Sequence, residues 1–180
     1  MNLTFKGGVH PLSEIQEGKK LTEKCAIEEM PAGHIVKIPL SQHVGAPAEP
    51  IVKTGERVLV GQKIAEAQGF VSVPVHASVS GVVMEIAEIT GANGKPVQAI
   101  VIENDFKDEA VPFREEDIEA LSPQEIIERI KEAGNVGMGG ATFPTHVKLS
   151  PPEGKSVNLL ILNGAECEPF LTADYRLMVE

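Results

Sequence analysis

Glycines crowd the stretch from residue 134 to residue 148, which reads GNVGMGGATFPTHVK. Glycine lets main-chain N–H groups approach a ligand closely, and such groups at a helix start form an anion site that usually binds phosphate. Pro144 suits the first turn of a helix, and Lys148, about one turn further on, adds a positive charge for a phosphate. The alternative is a flexible linker, but such linkers lack apolar anchors like Met138, Phe143 and Val147. The stretch therefore predicts nucleotide binding.

An apolar run and an acidic loop follow. Residues 157–162 read VNLLIL after the turn sequence PPEG, which predicts a buried strand of an α/β sheet. Residues 163–169 then read NGAECEP, with two carboxylates and one carboxamide. Open α/β sheets bind ligands at the carboxyl edge of their strands, so Asn163, Glu166 and Glu168 are candidate ligand contacts.

Together the two segments resemble the flavin-binding part of the NADH-oxidising 51 kDa-type subunit of respiratory complex I. They most resemble the RnfC subunit of Rnf-type ion-translocating ferredoxin:NAD oxidoreductases. The family's glycine loop, Phe-Pro-Thr and lysine match Gly137, Gly139, Gly140, Ala141, Phe143, Pro144, Thr145 and Lys148. Its Asn-x-x-Glu-x-Glu-Pro segment matches Asn163, Glu166, Glu168 and Pro169. The opening FKGGVHP, at residues 5–11, also resembles the start of the RnfC family.

This resemblance implies a role for each matched residue. The glycine loop, through Ala141, and Lys148 would hold the FMN phosphate and ribityl chain. Asn163 and Glu166 would bind the flavin, and Phe143 and Glu168 would flank the nicotinamide nucleotide. No side chain is implied as a nucleophile or general base, because hydride and electron transfer belong to the cofactor.

The sequence departs from the family motif at four positions. Thr142 stands where the motif usually has another glycine, which predicts crowding where the flavin approaches. Met138 replaces an arginine that is common in the complex I relatives, and Ala165 and Cys167 replace aspartate and glycine. These last three residues fit the Rnf branch.

The resemblance also implies cofactors and partners beyond FMN and NADH. Family members carry two [4Fe–4S] clusters, each held by four thiolates, whereas Cys25 and Cys167 are the two cysteines of this sequence and lack metal-type spacing. The chain is therefore expected to be an inactive N-terminal fragment of a longer subunit. Its expected partners are the other subunits of a membrane-bound complex and, through them, ferredoxin. The expected location is peripheral, on the cytoplasmic side of the inner membrane.

Composition excludes several functions. The chain has 180 residues, 42% of them hydrophobic, which suits one or two globular domains. A net charge of −10 argues against nucleic-acid binding, which requires a basic face. No apolar run approaches the roughly 20 residues of a membrane-spanning helix. Two isolated cysteines suit a reducing compartment.

The first half of the chain predicts a β-rich barrel-sandwich hybrid. Short apolar runs separated by Gly, Pro and Asn extend over residues 30–105. Residues 52–64, VKTGERVLVGQKI, have the cadence of a lipoyl or biotinyl hammerhead, and residues 75–86 supply its partner half. Asn93 and Gly94 predict a tight hairpin between strands near 82–90 and 97–103.

Three functions from different classes remain open. The first is an NADH-linked flavin oxidoreductase subunit, favoured by the matched loop. The second is a non-catalytic docking subunit, similar to that of a sodium-translocating NADH:quinone reductase that has lost the flavin. The third is a lipoyl- or biotin-type carrier. Carrier chemistry needs a lysine at the hammerhead tip, and residues 65–74 contain none, since Lys63 precedes the tip.

The histidines do not predict a metal site. His43 and His76 lie in predicted turns, but their separation matches no compact site and no cysteine or aspartate completes a ligand set. Hydrogen bonds that stabilise turns are the simpler interpretation, also for His34. His146 lies within the glycine-loop signature and is expected to border the flavin without a catalytic role.

The second half predicts helices and the beginning of an α/β, Rossmann-like FMN-binding domain. Ser122, Pro123 and Glu125 form a capping box with proline at the first helical position, and Gly134 ends that helix. A last helix begins near Thr172, with Tyr175 in the core and Asp174 paired to Arg176. The expected organisation is two-domain α+β. It consists of an arm at 1–28, the barrel-sandwich hybrid at 29–106, a linker at 107–121 and the truncated FMN domain at 122–180.

Overall fold

The computed structural model describes residues 18–113, 115–138 and 142–180. The chain divides into two compact units, one of which is Pro31–Val157. The other contains residues 18–30 and 158–180 among those described. In this described part, no helix combines the length and apolarity needed to cross a bilayer. The domain boundaries at residues 28, 106 and 121 stay a prediction.

Antiparallel strands dominate the unit Pro31–Val157. They are β1 (Ile35–Pro39), β2 (Glu49–Pro50), β3 (Arg57–Val58), β4 (Lys63–Glu66), β5 (Val75–His76), β6 (Gly81–Thr90) and β7 (Pro96–Asn104). One sheet has the order β1-β7-β6-β3 and the other the order β2-β4-β5. The barrel-sandwich hybrid predicted from the sequence is confirmed.

The longest pairing is the hairpin of β6 and β7. Gly81 pairs with Asn104 at one end and Thr90 with Pro96 at the other, and the register shifts once, between Val83 and Glu85. In the connecting turn, the Asn93 side chain accepts a hydrogen bond from the backbone N–H of Lys95 at 2.9 Å. This turn is the hairpin that the Asn-Gly pair predicts.

One apolar core joins the two sheets. Its members include Val58, Ile64, Val83, Ile100 and Ile102, each 0% exposed. Close packing continues at the Ser-Gly corner, where a Cβ placed on Gly81 would lie 2.0 Å from the carbonyl oxygen of Glu103. No residue with a side chain fits there without moving β7, which explains the glycine at this corner.

The described helices are α1 (Pro123–Glu132), α2 (Thr145–Lys148) and α3 (Ala173–Val179), with 3₁₀ turns at Lys19–Leu21 and Ile118–Ala120. The capping box of α1 is confirmed: the Glu125 N–H donates to Ser122 Oγ at 3.3 Å, and the Ser122 N–H donates to the Glu125 carboxylate at 2.8 Å. Gly134 follows the helix with a φ of 69°, the left-handed conformation that ends many helices. Pro144 precedes α2 rather than beginning it.

The buried strand predicted at residues 157–162 is wrong for this chain. The run belongs to no strand, and its apolar side chains are exposed, up to 86% for Leu162. A strand must pair its backbone groups with a neighbour, and in the described part of the chain no strand pairs with this run. Apolar composition alone therefore does not place it in a sheet.

The unit of residues 18–30 and 158–180 is held by polar contacts between its two segments. Lys19 Nζ donates to the carbonyl of Leu171 at 2.7 Å, and Thr172 Oγ1 donates to Thr22 Oγ1 at 2.8 Å. Two predictions for α3 are wrong. Tyr175 is 46% exposed rather than in the core, and Arg176 forms its ion pair with Glu180, one helical turn away, rather than with Asp174.

Candidate functional site

The glycine loop is closed at its base by four hydrogen-bonding groups. The Gly137 N–H donates to the carbonyl of Phe143 at 3.0 Å, and the Thr145 N–H donates to the carbonyl of Asn135 at 3.0 Å. The side chains of Thr145 and Asn135 add a bond of 2.6 Å. Residues on either side of the loop are thus fixed to each other. A flexible linker would not have this closed base, so the nucleotide-loop interpretation is favoured.

Lys148 reaches back over Gly137. A Cβ placed on Gly137 would lie 2.9 Å from Lys148 Nζ, so the absence of a side chain at this position gives the ammonium its place. The residues present therefore fit a phosphate, because an anion brought to the loop meets this ammonium. The N–H of Gly137 itself is used within the base and does not point to a ligand. Three further predicted contacts, Gly139, Gly140 and Ala141, lie outside the described residues.

Thr142 occupies a left-handed backbone conformation, with a φ of 51°. This conformation is unfavourable for a β-branched residue and easy for glycine, which explains why the family motif usually has glycine here. Phe143, which follows, is half-buried. A cleft of about 450 Å³ opens beside Thr142, which is within the size range of small-molecule sites. Its polar lining includes Ser41, Gln42 and Asn93.

The predicted residues of the acidic loop belong to the other unit. Asn163 Oδ1 accepts a hydrogen bond from the Ala165 N–H at 3.0 Å, which stabilises the turn. Glu166 Oε1 accepts from the Tyr175 N–H at 3.1 Å and so caps the first turn of α3. The Glu168 side chain is exposed. The structure thus brings Gly137, Phe143 and Lys148 together in one unit, and these three residues in the other.

The C-terminal end of α1 is anchored to the hammerhead strands β4 and β5. Lys63 Nζ lies 2.7 Å from a Glu132 carboxylate oxygen and 2.9 Å from one of Glu66. Hydrogen bonds to these two carboxylates raise the pKa of Lys63. Burial, followed by the nearby Lys63 charge, lowers the pKa of His76. Gly134 packs so closely that a Cβ on it would lie 2.8 Å from the carbonyl oxygen of Pro74.

The sequence prediction missed the contact that anchors the other side of the loop. His146, 3% exposed, has its Nε2 2.9 Å from the carbonyl oxygen of Phe70, and the two rings meet edge to face. Phe70 lies at the hammerhead tip. The only sequence signal was a single aromatic residue at that tip, which gave no indication of its partner 76 positions later.

His43 forms the turn-stabilising hydrogen bonds that the sequence favours over metal ligation. Its side chain is buried, with Nδ1 2.9 Å from the carbonyl oxygen of Val44 and Nε2 accepting from the Val73 N–H at 3.3 Å. His76 lies in β5 rather than in a turn. Within the described ranges, no group of three or more His, Cys, Asp or Glu side chains is placed to hold a metal ion.

The fold and the site together define a barrel-sandwich hybrid joined to a glycine-loop nucleotide-binding segment. Comparison with known families agrees: the RnfC barrel sandwich hybrid domain matches residues 3–107, more than half of the chain. The Nuo51 FMN-binding domain matches residues 130–180. This chain belongs to the RnfC barrel sandwich hybrid family, which confirms the resemblance inferred from the motifs.

Curated relatives point to the same family. The RnfC subunit of the proton-translocating ferredoxin:NAD(+) oxidoreductase complex of Clostridium ljungdahlii is 50% identical over 179 residues, covering 98% of this chain and 38% of the relative. Its counterpart in the Na(+)-translocating complex of Acetobacterium woodii is 47% identical, covering 97% and 39%. The counterpart in the ion-translocating oxidoreductase complex of Rhodobacter capsulatus is 44% identical, covering 99% and 34%. The chain thus spans less than two fifths of the length of these relatives.

Proposed function

We propose that this chain contributes part of the FMN- and NAD(H)-binding site of the RnfC subunit in an ion-translocating ferredoxin:NAD oxidoreductase. The observation that carries the proposal is the Lys148 ammonium placed over Gly137 in a loop with a closed base. The match of residues 130–180 to an FMN-binding domain supports it, as do the names of the relatives.

The residues of each segment would do different work. Lys148, with Gly139, Gly140 and Ala141, would hold the FMN phosphate, because an ammonium and exposed main-chain N–H groups are its natural partners. Asn163 and Glu166 would orient the flavin. Of these, Glu166 also caps α3, so its carboxylate has a fixed position before any ligand binds.

Phe143 and Glu168 would flank the nicotinamide nucleotide. The half-buried ring of Phe143 offers an apolar face at the mouth of the loop, and its carbonyl oxygen is already engaged with Gly137. Bound FMN supplies the chemistry, accepting a hydride from NADH and releasing electrons singly to iron–sulfur centres. The protein's part is to bind, orient and shield, and no side chain of this chain is required as an acid or base.

The remaining partners would come from the complex. Cys25 and Cys167 are exposed and lie in no metal-type cluster within the described ranges. The two [4Fe–4S] clusters of the family would therefore be held by thiolates other than these. We place the protein peripherally on the cytoplasmic side of the membrane, in contact with the other subunits and, through them, with ferredoxin.

Replacement of Lys148 tests the proposal in the subunit at its native length, within its complex. We expect Lys148→Met to weaken FMN binding about tenfold or more, because a hydrogen bond to a charged group contributes about 1.5–3 kcal/mol. The matched control is Lys155→Met, since Lys155 is also exposed and lies in the neighbouring turn. FMN fluorescence quenching gives both dissociation constants.

Two outcomes would contradict the proposal. Equal FMN affinities for the two variants would remove Lys148 from the site. A wild-type subunit that binds no FMN at micromolar concentrations would favour the docking subunit without a flavin. In that case the glycine loop would be a structural remnant within an adaptor.

A further inference from the structure

The hammerhead tip is a fixed platform in this protein. Ser72, fully buried, donates to the carbonyl of Ala46 at 2.9 Å and accepts from the Gln68 N–H at 3.0 Å. The Ala46 N–H in turn donates to the carbonyl of Val71 at 3.1 Å. Tip residues 68–72 are therefore bound to the connection between β1 and β2. Whatever contacts the tip contacts a surface whose position is set by the β core.

His146 is what contacts it from the glycine-loop side. Because the Phe70 carbonyl can only accept, its 2.9 Å contact makes Nε2 the protonated nitrogen of the imidazole. Nδ1 is buried and has no hydrogen-bond partner in the described part of the chain. The contact with Phe70 is thus the polar interaction that fixes this ring, supplemented by the edge-to-face packing of the two rings at a centroid distance of 5.9 Å.

The helix that carries His146 depends on this anchor. Helix α2 has four residues, Thr145–Lys148, and His146 is its buried one. So short a helix has no stability of its own in water, and its position must come from tertiary contacts. The Ser150 hydroxyl donates to the His146 carbonyl at 2.7 Å and extends the same anchor beyond the helix. Lys148 stands two residues after His146, on the same turn.

We propose that His146 is a positioning residue: it fixes helix α2 to the hammerhead tip at Phe70 and thereby sets the Lys148 ammonium over Gly137 for an anionic ligand. This inference rests on the proposed function, because the ligand it serves is the FMN phosphate. It gives the barrel-sandwich hybrid a defined task. The tip that carries the cofactor arm in lipoyl-type carriers here sets the geometry of a nucleotide loop.

The test uses two polar variants of the native-length subunit. Glutamine places its amide nitrogen near the position of the imidazole Nε2, whereas the shorter asparagine does not reach it. We expect His146→Gln to keep FMN affinity within about twofold and His146→Asn to weaken it about fivefold, consistent with the loss of one buried hydrogen bond. If both variants bind FMN equally well, the inference is overturned.

A double-mutant cycle separates positioning from general stability. Because His146 acts through Lys148, His146→Asn should weaken FMN binding much less in a Lys148→Met background than in the wild type. Thermal midpoints of all four proteins are measured without FMN. A purely structural role would lower the midpoint of His146→Asn and leave its effect on FMN affinity unchanged by Lys148→Met, which would refute the inference.

A third variant guards against a folding failure. Phe70→Ala removes the ring contact but keeps the carbonyl that accepts the hydrogen bond, so we expect a smaller loss of FMN affinity than for His146→Asn. The cycle also distinguishes the two proposals. If Lys148→Met leaves FMN binding unchanged, the proposed function fails. If Lys148→Met weakens binding and His146→Asn does not, only the positioning inference fails.

Discussion

Strand β7 and the run at residues 157–162 have similar residues and opposite fates. Ile102 in β7 is 0% exposed, whereas Ile161 in the run is 77% exposed. β7 lies between β1 and β6, so that Ile102 faces Val36 on one side and Val83 on the other. The run pairs with no strand of the described chain. Partners, rather than composition, decide whether an apolar segment becomes a strand.

The reason lies in the connections that each kind of sheet needs. An antiparallel partner can be supplied by a short turn, as between β6 and β7, so this pairing is complete within a few residues. A parallel partner requires a crossover connection of about a dozen residues or more. The first sheet can therefore be completed locally, and an α/β sheet around the run cannot.

Replacing Ile102 should produce the largest effect. We expect Ile102→Ala to lower the free energy of unfolding of this chain by about 2–5 kcal/mol, because it removes a buried side chain and leaves a cavity. Urea denaturation followed by circular dichroism measures the change. A loss no larger than that of an exposed substitution would mean that the β core is not the packed core described above.

Removing the cap of α1 should have a smaller effect. Ser122→Ala deletes the acceptor for the Glu125 N–H, and we expect a loss of about 1 kcal/mol in unfolding free energy. Ser122→Thr keeps a capping hydroxyl and serves as the control. If alanine and threonine are equivalent, local backbone satisfaction contributes nothing here, and the contrast between satisfied and unsatisfied segments loses one of its supports.

Acid should weaken the corner where β7 ends. Hydrogen bonds from Ser80 and Arg57 lower the pKa of Asp105 from its ordinary 3.8 to about 2. The unfolded chain therefore binds this proton more readily, and the contribution of Asp105 to stability, present above pH 4, is lost as the pH falls towards 2.

We expect Asp105→Asn to lower the thermal midpoint at neutral pH and to flatten its fall between about pH 4 and pH 2. The effect should be modest because Arg57 is partly exposed and surface ion pairs are screened. Glu88→Gln removes an exposed carboxylate of β6 and is the control. An unaltered acid limb in Asp105→Asn would contradict the assignment.

The smallest effect should come from the run itself. Ile161→Ala, the same substitution as in β7, should change the unfolding free energy of this chain by no more than about 0.5 kcal/mol, because the side chain is already exposed. A loss comparable to that of Ile102→Ala would show that the run is buried in solution, and the contrast between the two segments would disappear.

Much of the fold could be predicted from the sequence because its signals are local. The Asn-Gly turn, the capping box at Ser122 and the glycine that ends α1 each depend on residues within a few positions of one another, and each is present in the structure. The predicted core position of Tyr175 and the buried run at 157–162 were wrong because burial depends on what lies opposite.

The candidate site was only partly accessible in the same way. Its chemistry could be recognised, since Gly137 and Lys148 belong to one short motif. The Thr142 backbone conformation also has a counterpart in the family motif, which usually has glycine there. Its anchoring could not be recognised, because the contact between Phe70 and His146 joins residues 76 positions apart, and a backbone carbonyl leaves no trace in residue type.

By itself, the sequence determined the residue chemistry of the loop and the positions of the turns, because glycine, proline and capping residues act on their own neighbours. Only the tertiary structure decided that a hammerhead tip supports this loop and that an apolar run stays exposed. Both outcomes depend on which distant backbone groups come within hydrogen-bonding distance, and packing of the whole chain sets that distance.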